Sequence, residues 1–215
     1  MGKEFVQSRN PWEEIDLETY EKHMRLDTVQ QLQIMNAIMK QQFEAYPVQT
    51  VMILGVAGGN GLEHIRTDKY TTVYGVDINE HYLQAVSERC TNLKNVLQCL
   101  QLDLMHETEK LPDAQLVIAN LLIEYIGYDA FQKTILHIKP EYVSCVIQIN
   151  TDEKKWVSDS PYLHAFDCLD RIHHQMDEAS LIQVMKEIGD NRILQASQPL
   201  PNGKALVRVD FIRQM

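Results

Sequence analysis

The chain has 215 residues, 45% of them apolar and 23% charged, the proportions of a folded domain with room for a sizeable core. Thirty acidic residues against twenty basic ones leave a formal charge of -10, which argues against a broad nucleic-acid surface or an anionic membrane as partner. No apolar run spans a bilayer, the first residues are too polar for a signal peptide, and Cys90, Cys99, Cys145 and Cys168 form no C-x-x-C pair, so a cytoplasmic protein without a metal is expected.

Residues 1–48 are expected to form an N-terminal helical arm. Residues 1–19 are polar around Pro11-Trp12. From about Leu26 a helix is predicted, with Val29, Leu32, Met35, Met39 and Phe43 at three- and four-residue spacing on one apolar stripe. Tyr46-Pro47 ends it. The stretch from Trp12 to Met24 is a candidate lid over a ligand.

From residue 49 to 215 strands and helices alternate. Thr50 to Leu54 reads as a buried strand. It runs into Gly55-Val56-Ala57-Gly58-Gly59-Asn60-Gly61, where glycines let backbone amides approach a ligand. A helix is predicted from there to about Arg66. Thr72 to Asp77 is a second strand, Asn79 to Cys90 a helix, Asn95 to Leu100 a third strand and Ala114 to Ala119 a fourth. Tyr128 to Ile138 is a helix stopped by Lys139-Pro140, and Tyr142 to Ile149 a fifth strand. This alternation predicts a parallel sheet covered on both faces. Residues from about 151 to 170 read as an irregular insertion, in which Trp156, Tyr162 and Phe166 either stack on a substrate or anchor the loop. Asp177 caps a helix carrying Leu181, Val184 and Ile188. Asn202-Gly203 turns a terminal hairpin, Arg192 to Ala196 and Ala205 to Ile212. The fold class is α/β: a Rossmann-like, doubly wound, mostly parallel seven-stranded sheet with a C-terminal antiparallel hairpin.

Ligands in such sheets bind beyond the carboxyl ends of the strands. The glycine loop follows strand 1. Asp77 ends strand 2, placed to accept from two ribose hydroxyls. Leu102-Asp103-Leu104 follows strand 3, an acid for an adenine amino group between two leucines. Asn120 follows strand 4. Taken singly, Asp77 and Asp103 also read as helix caps and Asn120 as a turn residue. Their succession at four strand ends favours a shared crevice. The dinucleotide pattern G-x-G-x-x-G fails in either frame, with Ala57 and Asn60, or His64, at glycine positions, and no Gly-Lys-Ser/Thr follows for a phosphate loop.

In these positions the chain resembles the class I S-adenosylmethionine-dependent methyltransferases, over roughly residues 27–150. Gly55, Ala57 and Gly59 match the small positions of that family's acid-x-G-x-G-x-G loop. Asp77 with Ile78 matches the ribose-binding position, Asp103 with Leu102 and Leu104 the adenine-binding one, and Asn120 the position lining the methionine end. The resemblance implies S-adenosyl-L-methionine as cofactor and methyl transfer as reaction. Where the family keeps the loop acid, this chain has Ile53, so either another group, Asn60 or Asn120, takes over its contact or cofactor affinity is reduced. Asn120-Leu121-Leu122-Ile123 lacks the Asn/Asp-Pro-Pro-aromatic signature of many nucleic-acid and protein amide methylases, and a small-molecule acceptor is expected. A binding protein without turnover is the rival that Ile53 keeps open, and a nicotinamide-dependent oxidoreductase the rival that the broken fingerprint weakens.

Methyl transfer needs a positioned acceptor, with a general base where the nucleophile carries a proton. Glu124, Tyr125 and His23 are the candidates. Against them stand a solvated helix-start carboxylate for Glu124, a pocket wall for Tyr125 and an exposed helix face for His23. His173-His174 makes a poor chelating pair, because neighbours on an extended segment point to opposite sides.

Overall fold

The computed structural model describes residues 9–150 and 156–214. Seven strands, β1 Thr50–Leu54, β2 Thr72–Asp77, β3 Leu97–Gln101, β4 Leu116–Asn120, β5 Tyr142–Ile149, β6 Asp190–Pro199 and β7 Ala205–Arg213, form one sheet. Its order is β3-β2-β1-β4-β5-β7-β6. The first five strands are parallel, and β7 runs antiparallel to both β5 and β6. The doubly wound sheet and its terminal hairpin agree with the sequence reading.

Alternation along each strand builds two cores. Val51 and Ile53 of β1 face one side, packed with Met35, Met39 and Phe43 of α2 (Gln31–Ala45) and Leu83 and Val86 of α3 (Glu80–Arg89). Met52 and Leu54 face the other, with Phe131 and Ile135 of α4 (Ile123–Ile138) and Leu181 and Met185 of α5 (Glu178–Glu187). Among the described residues no helix is long and apolar enough to cross a membrane. All four cysteines are free thiols.

Five local differences from the sequence reading bear on the site. After β1 there is only one 3-10 turn, Leu62–His64, where a helix to Arg66 was expected; Leu62 and Ile65 are buried, but as loop anchors. The first turn of α4 begins at Ile123, not Tyr128, and Gly127 breaks the helix with φ 71°, ψ 170°, a conformation open to glycine. The N-terminal segment holds a second helix, α1 (Leu17–Arg25), capped by Asp16, whose side chain accepts from the Thr19 N–H at 2.8 Å. α2 starts at Gln31, with Gln30 in left-handed backbone, so Val29 lies before it. The insertion contains a 3-10 stretch, Leu163–Arg171, whose Phe166 and Leu169 pack with Ile15 into a third apolar cluster. Residues 151–155 of that insertion lie outside the described residues.

Candidate active site

The strand-end residues gather around a cavity of about 270 Å³ at the carboxyl edge of β1, β2, β3 and β4. Gly55, Ala57, Asp77, Ile78, Leu102, Asp103, Leu104 and Asn120 all border it. Gly59 lies outside its lining: a side chain there would meet Leu62 and Val86 in the core, so this glycine serves packing. Gly58 likewise makes room for protein, since a Cβ would collide with Leu17 and Glu21 of α1 and with Arg89.

Asp77 organises the loop. Its Oδ2 accepts from the Ala57 N–H at 2.9 Å and its Oδ1 from the Asn79 N–H at 2.9 Å. Burial raises its carboxyl pKa, opposed by these backbone donors. Ala57 holds φ 46°, a left-handed conformation that costs an L-residue free energy. Asp103 turns its own loop, its Oδ1 accepting from Met105 N–H at 2.8 Å.

Asn120 is locked by a polar chain running through the core. It exchanges two hydrogen bonds with Gln42 of α2, at 2.8 and 2.9 Å. Gln42 donates to Ser144 Oγ at 2.9 Å, and Ser144 donates to Asp210 Oδ1 at 2.5 Å. Asp210 also accepts from Tyr46 at 2.6 Å and pairs with Arg208. Gln42 was missed from sequence, although a glutamine three residues after Met39 on an apolar stripe is itself a signal.

The N-terminal segment roofs the cavity. Asn10, Trp12 and Tyr20 border it. The Asn79 amide donates to Trp12 O at 2.9 Å, Tyr82 donates to Ile15 O at 3.0 Å, and Arg89 ties Glu21 of α1 to the Gly58 carbonyl.

Two smaller cavities adjoin the first. One continues along the glycine loop past Ile53, Asn60 and Asn120, and Glu21 is its sole carboxylate. Ile53 is buried in the core. Asn60 donates to Leu32 O and accepts from Asn36, while the Asn120 amide donates to both Gln42 and the Met39 sulfur. The other cavity, about 60 Å³, holds Glu124, Tyr125 and His23 in its walls. Tyr20 and Leu121 border all three spaces. Leu121 is in left-handed backbone, φ 54°, a strain of the kind that clusters at functional sites.

Glu124 is not the solvated carboxylate its position suggested. It is 4% exposed, its Oε1 accepts from Gln148 N–H at 2.8 Å, and its buried Oε2 has no partner among the described residues. Burial moves its carboxyl from 4.5 up to about 7. His23 is buried as well, 2.8 Å from the Ser160 hydroxyl through Nδ1 and packed on Phe166. Burial, with Lys204 nearby, lowers its pKa to about 4. Burial, then the Glu124 charge, keeps Tyr125 a neutral phenol. His173 and His174 point into different cavities, His173 stacked on Trp156 at 4.0 Å. Among the described residues no three His, Cys, Asp or Glu side chains are grouped to hold a metal.

No protein-family model and no curated protein matches the chain. Solved structures match its fold. The magnesium protoporphyrin IX methyltransferase of Synechocystis PCC 6803 with bound SAM aligns over 90% of this chain and 83% of its own, at TM-score 0.59 and 12% identity. The N-methyltransferase NodS of Bradyrhizobium japonicum WM9, in complex with S-adenosyl-L-homocysteine, aligns over 93% and 98%, at TM-score 0.62 and 10% identity. The [4+2]-cyclase SpnF aligns over 89% and 85%, at TM-score 0.66 and 8% identity. The chain therefore has the Rossmann-like fold that these methyltransferases share with a cyclase.

Proposed function

We propose that this protein transfers a methyl group from S-adenosylmethionine to a small-molecule acceptor. The observation that carries the reading is the meeting of three cavities at Tyr20 and Leu121. The first suits adenosine: each Asp77 oxygen keeps a lone pair beyond its backbone bond for a ribose hydroxyl, and Asp103 sits between Leu102 and Leu104 for the base. The second suits the amino-acid end, with loop amides for its carboxylate and Glu21 for its ammonium. In this reading Glu21, on the N-terminal helix, replaces the acid that Ile53 lacks. The third cavity receives the acceptor, with Glu124 available to take its proton.

S-adenosylmethionine brings an activated methyl carbon on a sulfonium, so the chain's own work is positioning and exclusion of water. The aromatic roof of Trp12 and Tyr20 serves both. The fold matches to structures with bound SAM or S-adenosyl-L-homocysteine support the cofactor assignment. Ile53 favours a second reading, a protein that binds the cofactor without turnover; the match to a [4+2]-cyclase shows that the fold is not confined to proteins named as methyltransferases.

Calorimetric titration with S-adenosylhomocysteine, beside NADH, tests the assignment. Binding of the former alone is expected. Binding of NADH alone, or of neither, overturns it. Release of S-adenosylhomocysteine from S-adenosylmethionine in the presence of candidate acceptors separates transfer from mere binding.

A further inference from the structure

The third cavity is built unlike the other two. Its walls are aromatic: Trp12 meets Tyr125 edge to face at 4.8 Å, and Tyr125 meets Trp156 at 6.2 Å. Phe166 and the Trp156–His173 stack close it. Among these rings lies one carboxylate, Glu124, with Oε1 bound to backbone and Oε2 buried and unpaired. A buried acceptor without a donor is costly to keep, and most such groups are satisfied. Among the described residues no arginine or lysine lines the cavity. Lys204 approaches from the hairpin, but its Nζ is bound to the Trp156 carbonyl. The two histidines in the walls are kept neutral at pH 7, chiefly by burial.

A space bordered by aromatic rings, with a carboxylate in its wall that lacks one donor, suits a cation that donates hydrogen bonds. An anionic acceptor would meet Glu124 with no compensating charge among the described residues of the walls. A volume of about 60 Å³ holds a few waters, enough for a functional group. Resting on the methyl-transfer reading above, we infer that the acceptor is an amine, a primary or secondary nitrogen at the compact end of a small molecule, held as ammonium between these rings and Glu124.

The chemistry balances within the cavity. The ammonium gives one proton to Glu124 Oε2 and regains its lone pair. That pair forms the N–C bond to the methyl carbon as the C–S bond breaks, its electrons staying on sulfur. The products are a methylated ammonium, a neutral thioether and a protonated Glu124, which returns its proton to solvent when the site opens.

The test uses the chain's only two tryptophans, Trp12 and Trp156, which both line this cavity. The full-length protein, with and without saturating S-adenosylhomocysteine, is titrated with n-propylamine, 1-propanol and propanoate at neutral pH while tryptophan emission is followed. A saturable change is expected with the amine, in the millimolar range, and not with the alcohol or the carboxylate. Glu124→Gln should weaken the amine response by about tenfold or more, the worth of a hydrogen bond to a charged group. Equal responses to amine and alcohol, a preference for propanoate, or silence toward the amine overturns the inference; this comparison is made on the unaltered protein and does not depend on the variant's folding. Calorimetry with S-adenosylhomocysteine on the same preparation separates the two readings. Nucleoside binding without amine preference discards the amine alone. Amine preference without nucleoside binding discards methyl transfer and, with it, the amine's role as acceptor.

Discussion

Replacing Glu124 by Gln should make the protein more stable above neutral pH. The folded state holds this carboxyl at about 7, against 4.5 in its ordinary setting, because burial penalises the charge. Between those two values the folded chain keeps a proton that the unfolded chain has lost, so stability falls as pH rises and levels off above the upper value. Each pKa unit is worth about 1.4 kcal/mol, which puts the loss near 3 kcal/mol by pH 8. Glutamine keeps the Oε1 that accepts from Gln148 N–H and carries no charge. The two proteins should therefore be equally stable at pH 4.5 and diverge to about 3 kcal/mol in favour of the variant at pH 8 and above, about 1 M in urea midpoint for an m-value near 3 kcal/mol per M. Urea unfolding followed by circular dichroism across this window measures it, and other titrating groups cancel in the difference. A variant whose advantage is the same at both ends of the range refutes the burial argument. Such a cost, carried by the free protein, is what a site built for a charged partner leaves behind.

Asp77→Ala removes the acceptor for the Ala57 and Asn79 amides and the proposed ribose contact, and should weaken S-adenosylhomocysteine at least about tenfold by calorimetry; an unchanged affinity moves the ribose elsewhere. Glu21→Gln should weaken the same ligand by about tenfold if this residue meets the ammonium, whereas a deaminated S-adenosylhomocysteine analogue should not distinguish the variant. Ala57→Gly relieves a positive φ while loosening the unfolded chain, for a net gain of about 0.5–1 kcal/mol in chemical denaturation; a loss contradicts the strain assignment. Arg208→Met leaves Asp210, fully buried, without its counter-ion, and should cost about 3–5 kcal/mol; a cost under about 1 kcal/mol means Tyr46 and Ser144 suffice.

The sheet was legible because its signals are local. A strand such as Tyr142–Ile149, buried on both faces, announces itself as an apolar run, and Asp77 is marked by its place at a strand end. The partners that set the site are remote in sequence: Gln42 reaches Asn120 across 78 positions and Tyr46 reaches Asp210 across 164. No periodicity records such pairs. The turn after β1 failed for another reason. Leu62 and Ile65 have helical spacing, but Gly61 enters at φ 89° against Met39 of α2, and tertiary contact overrides propensity there. Glu124 read as solvated because its neighbours in sequence gave no hint that Gln148 and the insertion would bury it.

In the proposed reading a residue remote in sequence, Glu21, stands in for an acid at position 53. An aspartate there would stand in the core between the Met35 and Met39 side of α2 and the sheet, where an unpaired carboxylate is expensive. The chain instead packs that position with isoleucine and brings α1 against the loop, where Gly58 leaves no room for a side chain and Arg89 fixes Glu21 beside it. A carboxylate on α1 sits at the site only while α1 is docked. The same segment carries Trp12 and Tyr20 over the place where the three cavities meet, so in the proposed reading its docking completes the amino-acid end, the roof and the acceptor wall at once. The proposed cofactor and acceptor contacts would then be coupled through one element, and a change that loosens it, such as loss of the Asn79–Trp12 bond, should weaken both together.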